Sequence, residues 1–100
     1  YVAVTPEGDI YPCHQFVGIE SFKIGNVNNG TLNLDIVNNF SKSNISSKEE
    51  CSHCWVKFYC GGGCAANNYS FNKDINKSYK IGCELEKKRV ECALWIKTQL

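Results

Sequence analysis

Cys51-Ser52-His53-Cys54-Trp55-Val56-Lys57-Phe58-Tyr59-Cys60-Gly61-Gly62-Gly63-Cys64 decides how this chain is read: it holds four of the seven cysteines, and Cys83 follows it. A metal needs several thiolates converging on one place, and a Cys-x2-Cys turn brings two of them together locally. The remaining ligands must come from elsewhere in the chain. The three glycines before Cys64 lack Cβ atoms, so they can adopt positive φ and approach a metal group closely. Their N–H groups are able to hydrogen-bond to sulfur and so tune it. A lone Cys-x2-Cys could be a thioredoxin-like redox pair, but no βαβ pattern surrounds this one. Metal ligation stands ahead of disulfides, and disulfides ahead of inert buried thiols.

Working outward, Val2 and Val4 alternate on one side of Pro6-Glu7-Gly8 and Ile10 continues on the other, which predicts a β-hairpin over the first thirteen residues. Pro12 ends the second strand and leaves Cys13 just beyond it. Residues 25–50 are rich in Asn and Ser and read as a connecting segment without chemistry; Leu34, Ile36, Val37 and Phe40 predict one short helix inside it. Residues 65–82 are mixed, and Glu84 to Leu100 is the clearest helix, with a Leu85, Cys92, Ile96 stripe. The expected fold class is therefore a small α+β metal-binding domain: N-terminal β-hairpin, cysteine-rich irregular loops, C-terminal α-helix.

Nine residues along a helix turn it by about 180°, so Cys92 cannot share a site with Cys83 and is expected to be a small core residue. Six candidate ligands remain, one set of four and two over: Cys13, Cys51, Cys54, Cys60, Cys64 and Cys83. His53 is expected to point away from its flanking thiolates, and His14 is a candidate from outside the cluster that more simply stays unligated. Trp55, Phe58, Tyr59, Phe16 and Tyr69 either shield a cluster from water or pack a core.

The bulk composition, 43% apolar and 21% charged with a formal charge of +1, is that of one globular domain spanning 1–100. A charge so near zero points to neither nucleic acid nor a membrane surface as partner. The densest basic run, Lys87-Lys88-Arg89, is interrupted by Glu84, Glu86 and Glu91, and reads as a solvated face with Glu84 and Lys88 paired at i,i+4. No apolar run approaches the roughly 20 residues of a membrane span. With no export signal in view, a reducing cytoplasm is the expected compartment, where seven cysteines favour metal over cystine. The chain opens at Tyr1 inside a strand and is expected to be a C-terminal fragment of a longer protein.

Cys-x2-Cys-x5-Cys-x3-Cys, a gap and a further Cys resembles the SPASM domain, the auxiliary-cluster domain of radical S-adenosylmethionine peptide and protein maturases. Gly8-Asp9-Ile10-Tyr11-Pro12-Cys13 matches the Gly-x4-Cys of that family's motif, whose opening cysteine would lie before Tyr1. The resemblance covers nearly the whole chain and rests on Gly8, Cys13, Cys51, Cys54, Cys60, Cys64 and Cys83. Tyr11-Pro12-Cys13-His14-Gln15-Phe16, the Cys60–Cys64 glycine run with Ala65-Ala66-Asn67, and the stretch from Cys83 to Cys92 look like the clostridial maturases of SCIFF peptides, which form thioether crosslinks.

The resemblance implies a 4Fe-4S cluster on Cys51, Cys54, Cys60 and Cys83, with Cys13 and Cys64 belonging to a second, partial site completed upstream. It also implies partners: an upstream radical S-adenosylmethionine barrel and a cysteine-rich precursor peptide. S-adenosylmethionine itself would bind only in that upstream domain, because the Cys-x3-Cys-x2-Cys of a radical-generating site is absent here; catalysis would reside outside this chain. Zinc is the rival metal, since four thiolates suit a structural zinc-binding docking module equally. A disulfide-rich extracellular binding module is a third possibility.

Overall fold

Thr5 to Asp9 close the expected hairpin. The Thr5 N–H donates to the Asp9 carbonyl at 2.9 Å, the Gly8 N–H to the Thr5 carbonyl at 2.9 Å, and the Asp9 N–H to Thr5 Oγ1 at 3.1 Å. In the computed structural model, which describes every residue from Tyr1 to Leu100, β1 (Ala3–Val4) pairs antiparallel with β2 (Asp9–Tyr11), Ala3 opposite Tyr11. Residues gather into two compact units, Tyr1–Lys42 and Ser43–Leu100, and the boundary falls inside the Asn- and Ser-rich stretch.

That stretch is more ordered than a connecting segment. β3 (Gly25–Asn26) and β4 (Thr31–Leu32) extend the hairpin into a four-stranded antiparallel sheet in the order β1-β2-β3-β4. Its asparagines supply the polar bracing that short strands lack. Asn26 Nδ2 donates to Asp9 Oδ1 at 2.9 Å and to the Glu7 carbonyl at 3.2 Å; Asn28 Nδ2 reaches the same carbonyl at 3.2 Å. Asn33 Oδ1 accepts the Asp35 N–H at 3.1 Å and so caps α1 (Leu34–Lys42), the short helix expected there.

The core of this unit is aromatic. Phe16 is 1% exposed and its ring lies 4.4 Å from Phe22 and 5.6 Å from Phe40, the latter edge-on, so Phe40 pins α1 to the turn after β2. Tyr11 and Ile24 complete it. Cys13, extended at φ −156°, follows β2 and Pro12 and leads into a 3-10 turn, His14–Phe16. His14 is exposed, with Nδ1 3.3 Å from the Tyr1 hydroxyl.

The second unit contains only helices: α2 (Glu49–Ser52), α3 (Lys57–Cys60), α4 (Ala65–Asn72) and α5 (Lys80–Thr98). Four of the residues buried in it are polar or thiol-bearing: Lys48, Cys51, Asn68 and Ser78, alongside Val56, Ala66, Ile75 and Val90. Two expectations fail here. Leu85, Cys92 and Ile96 form no core stripe: Leu85 is 60% and Ile96 54% exposed, Cys92 is exposed as well, and Val90 is the buried residue of α5. A stripe of apolar residues says which face could be covered, not that anything covers it within this chain. The ion pairs of α5 run at i,i+3, as Lys87 with Glu84, Arg89 with Glu86 and Lys88 with Glu91, not Glu84 with Lys88. No helix is long and apolar enough to cross a membrane.

This packing can be tested at three positions. A Cβ on Gly25 would sit 1.8 Å from the Thr31 carbonyl oxygen, backbone that cannot yield without unpairing β3 from β4. Gly25→Ala should therefore destabilise the sheet by at least about 1–3 kcal/mol, read as a lowered midpoint in urea. Asp9 is held below its ordinary pKa of 3.8 by the Asn26 hydrogen bond first and then by Lys23, whose ammonium lies 3.1 Å away. Folding lowers this pKa, so its stabilisation is fully present above the ordinary range and is lost as the pH falls through the lowered value. Asp9→Asn should flatten acid unfolding there, measured by circular dichroism against pH. Asn68→Ala leaves the Tyr79 N–H and the Ile75 carbonyl without their side-chain partner. It should cost about 1–3 kcal/mol in thermal or urea unfolding.

Candidate metal centre

All five cysteines between Cys51 and Cys83 line one cavity of about 610 Å3 in the second unit. Local backbone geometry puts them there. Cys51 sits buried in α2, and the chain turns back on itself so that the Cys54 N–H donates to the Cys51 carbonyl at 3.0 Å. Cys60 is the last residue of α3, where Gly61 terminates the helix in the left-handed region at φ 76°. Gly62 and Gly63 continue in that region at 104° and 76°, three consecutive positive values that side chains with a Cβ rarely adopt. This reversal delivers Cys64 to the start of α4, and the Cys64 carbonyl accepts the Asn68 N–H at 3.0 Å. Cys83 arrives from far along the chain, in the first turn of α5.

Electrostatics tie four of these thiols together. Burial pushes the Cys83 pKa above its ordinary 9.0; a hydrogen bond with Ser78 acts the other way, and then the neighbouring Cys51 and Cys60 push it up further. The Lys87 pKa is raised mainly by its ion pair with Glu84, with smaller contributions from Cys54 and Cys83. Cys51, Cys54, Cys60 and Cys83 thus share one electrostatic neighbourhood. A partly desolvated thiol such as Cys83 resists ionising, and a bound cation reverses that preference.

The donor set fits an iron–sulfur group. All seven cysteines are free thiols. Four cysteines on one cavity wall offer the thiolates that an iron–sulfur cluster takes, and zinc accepts the same donors.

Cys13 lies half-buried in the first unit and Cys92 is exposed and outside the cavity. His53, expected to face away, is exposed but does line the cavity. Trp55, Phe58 and Tyr59 neither shield the cysteines nor pack a core, being 56%, 81% and 67% exposed and absent from the cavity wall. Phe16 is a core residue, and Tyr69 is half-buried away from the wall.

Three residues that the sequence did not single out shape the site. Lys48 is buried at 7% exposure and its Nζ donates to the Gly62 carbonyl at 3.0 Å, bracing the glycine reversal. Asn68, 2% exposed, donates through Nδ2 to the Ile75 carbonyl at 3.1 Å and accepts the Tyr79 N–H through Oδ1 at 3.0 Å. Ser78 Oγ lies 3.5 Å from Cys51 Sγ. In a chain so rich in Asn and Ser, only the positions of Asn68 four residues after Cys64 and Ser78 five before Cys83 hint at them.

A protein of Archaeoglobus fulgidus described as an uncharacterized protein is 29% identical over 98 residues, an alignment covering 88% of this chain and 21% of that protein. The chain spans about a fifth of that relative's length. The family model for SPASM, an iron–sulfur cluster-binding domain, matches residues 1–55, which include Cys13, Cys51 and Cys54. On that match over more than half its length, the chain belongs to the SPASM family of iron–sulfur cluster-binding domains.

Proposed function

We propose that the chain carries a 4Fe-4S cluster on Cys51, Cys54, Cys60 and Cys83 as the auxiliary centre of a radical S-adenosylmethionine maturase that forms Cys thioether crosslinks in a ribosomal peptide. The observation that carries this reading is the single cavity lined by all four thiols, with Cys83 brought to Cys51 and Cys60 across the unit. When bound, such a group supplies one-electron transfer, here the removal of the electron left as a thioether bond closes. The chain's own residues hold it and set its surroundings. The reversal at Gly61–Gly63 orients Cys60 and Cys64, and Asn68 fixes the loop that leads to Cys83. The cavity wall carries charge of both signs, Lys57, Lys80 and Lys87 beside Glu50, Glu84 and Glu86, and Lys48 braces the Gly62 carbonyl.

Cys13 and Cys64 belong, in this proposal, to a second centre whose other ligands lie upstream, on the side of the barrel that binds S-adenosylmethionine. The cysteine-rich precursor peptide would engage there. Support for the maturase class is the resemblance of the Cys60–Asn67 and Cys83–Cys92 stretches to the SCIFF maturases.

The test uses the full-length protein bearing this chain, prepared without oxygen. Iron, sulfide and a broad visible charge-transfer band are expected; stoichiometric zinc in colourless protein would instead favour the four-thiolate zinc docking module. Cys51→Ala and Cys60→Ala should each remove the iron of one cluster, leave S-adenosylmethionine cleavage largely intact and abolish peptide crosslinking. Unchanged iron would refute the ligand assignment, and crosslinking that survives loss of the cluster would refute the relay.

A further inference from the structure

Ser78 is held more firmly than its place in a loop would require. Asn72 Nδ2 donates to the carbonyls of Lys77 at 2.8 Å and Ser78 at 3.1 Å, and Asn68 Oδ1 receives the N–H of Tyr79 at 3.0 Å. The Tyr79 ring stacks on Phe71 at 4.1 Å between centroids, with 13° between the planes. Two asparagines one turn apart on α4, together with this aromatic stack, therefore clamp the backbone on both sides of Ser78. None of these contacts uses its hydroxyl.

The hydroxyl points at sulfur. Ser78 is 7% exposed and lines the same cavity as Cys83, and its Oγ lies 3.5 Å from Cys51 Sγ. As a ligand the Cys51 sulfur is a thiolate, which accepts hydrogen bonds and cannot donate them. The hydroxyl proton then has one direction left to it, toward a ligand sulfur. A donor at that place withdraws electron density and favours the state with the extra electron, which carries more negative charge.

We propose that Ser78 is a positioning residue of the metal centre: its hydroxyl donates a hydrogen bond to the ligand sulfur of Cys51 and raises the reduction potential of the group that sulfur binds. This rests on the reading that Cys51 and Cys83 ligate an iron–sulfur cluster. A serine kept for packing alone would contribute its volume and its backbone, both of which alanine largely retains. The clamping contacts of Asn72 and Asn68 go to main-chain atoms and persist in Ser78→Ala.

The test compares wild type, Ser78→Ala and Ser78→Thr in the full-length protein, using the electron paramagnetic resonance signal that disappears in Cys51→Ala. Ser78→Ala should keep its iron and sulfide, shift the midpoint of that signal to a more negative potential, and lose one exchangeable deuteron coupling after transfer to heavy water. Ser78→Thr, which keeps the hydroxyl, should restore both. An unchanged midpoint and coupling in Ser78→Ala would overturn the proposal. Should Ser78→Ala lose the cluster, retention by Ser78→Thr supports the hydroxyl's role, and equal loss in both refutes it. A wild-type protein with no iron signal dependent on Cys51 would fail differently, removing the cluster reading itself.

Discussion

Thiols crowded into a partly desolvated cavity repel one another once ionised, and the second unit is organised around holding them together regardless. Its apolar core is small, with Val56, Ala66, Ile75 and Val90 buried. Buried polar groups that bond to backbone supply much of the remaining order: Lys48 to the carbonyl of Gly62, Asn68 to the main chain at Ile75 and Tyr79. Such groups are costly unless satisfied, and no buried side-chain nitrogen or oxygen in this structure lacks a partner. A unit built this way gains stability from any cation that binds its thiolates, because binding energy at a site the unfolded chain lacks is folding energy.

Family membership and geometry contribute different parts of the account. The match to SPASM ends at residue 55, so Cys60, Cys64 and Cys83 join the site through the cavity they share with Cys51 and Cys54. Cys64 is instructive: it rims the same cavity as Cys51, Cys54, Cys60 and Cys83, although the family resemblance would set it apart with Cys13. The glycine run before it lets the chain turn sharply enough for one helix end to present Cys60 and the next helix start to present Cys64.

The α5 helix shows where reading a pattern stops. Its length and placement were legible from residues 84–100, and the observed helix, Lys80–Thr98, begins four residues earlier. Its apolar stripe was legible too, yet Leu85 and Ile96 remain exposed, as do Trp95 and Leu94. Periodicity reports the chemistry of a face, while burial depends on what other elements cover. The same limit applies to Trp55, Phe58 and Tyr59, near the cysteines in sequence and absent from the cavity wall.

By itself the sequence determined the hairpin before Cys13, the short helix around Phe40, the long C-terminal helix and the identity of the clustered thiols. Each is written in local terms: turn chemistry, helical spacing, and cysteines a few residues apart. Tertiary structure alone decided that the Asn-rich stretch adds two strands, since Gly25 and Asn26 acquire meaning only opposite Thr31, Leu32 and Asp9. It alone decided that Lys48 braces the turn at Gly62, that Asn68 holds the loop before Cys83, and that Ser78 turns its hydroxyl to the Cys51 sulfur. The physical reason is common to all three: a contact between residues far apart in the chain leaves no periodic trace, so nothing short of the folded chain brings its two ends together.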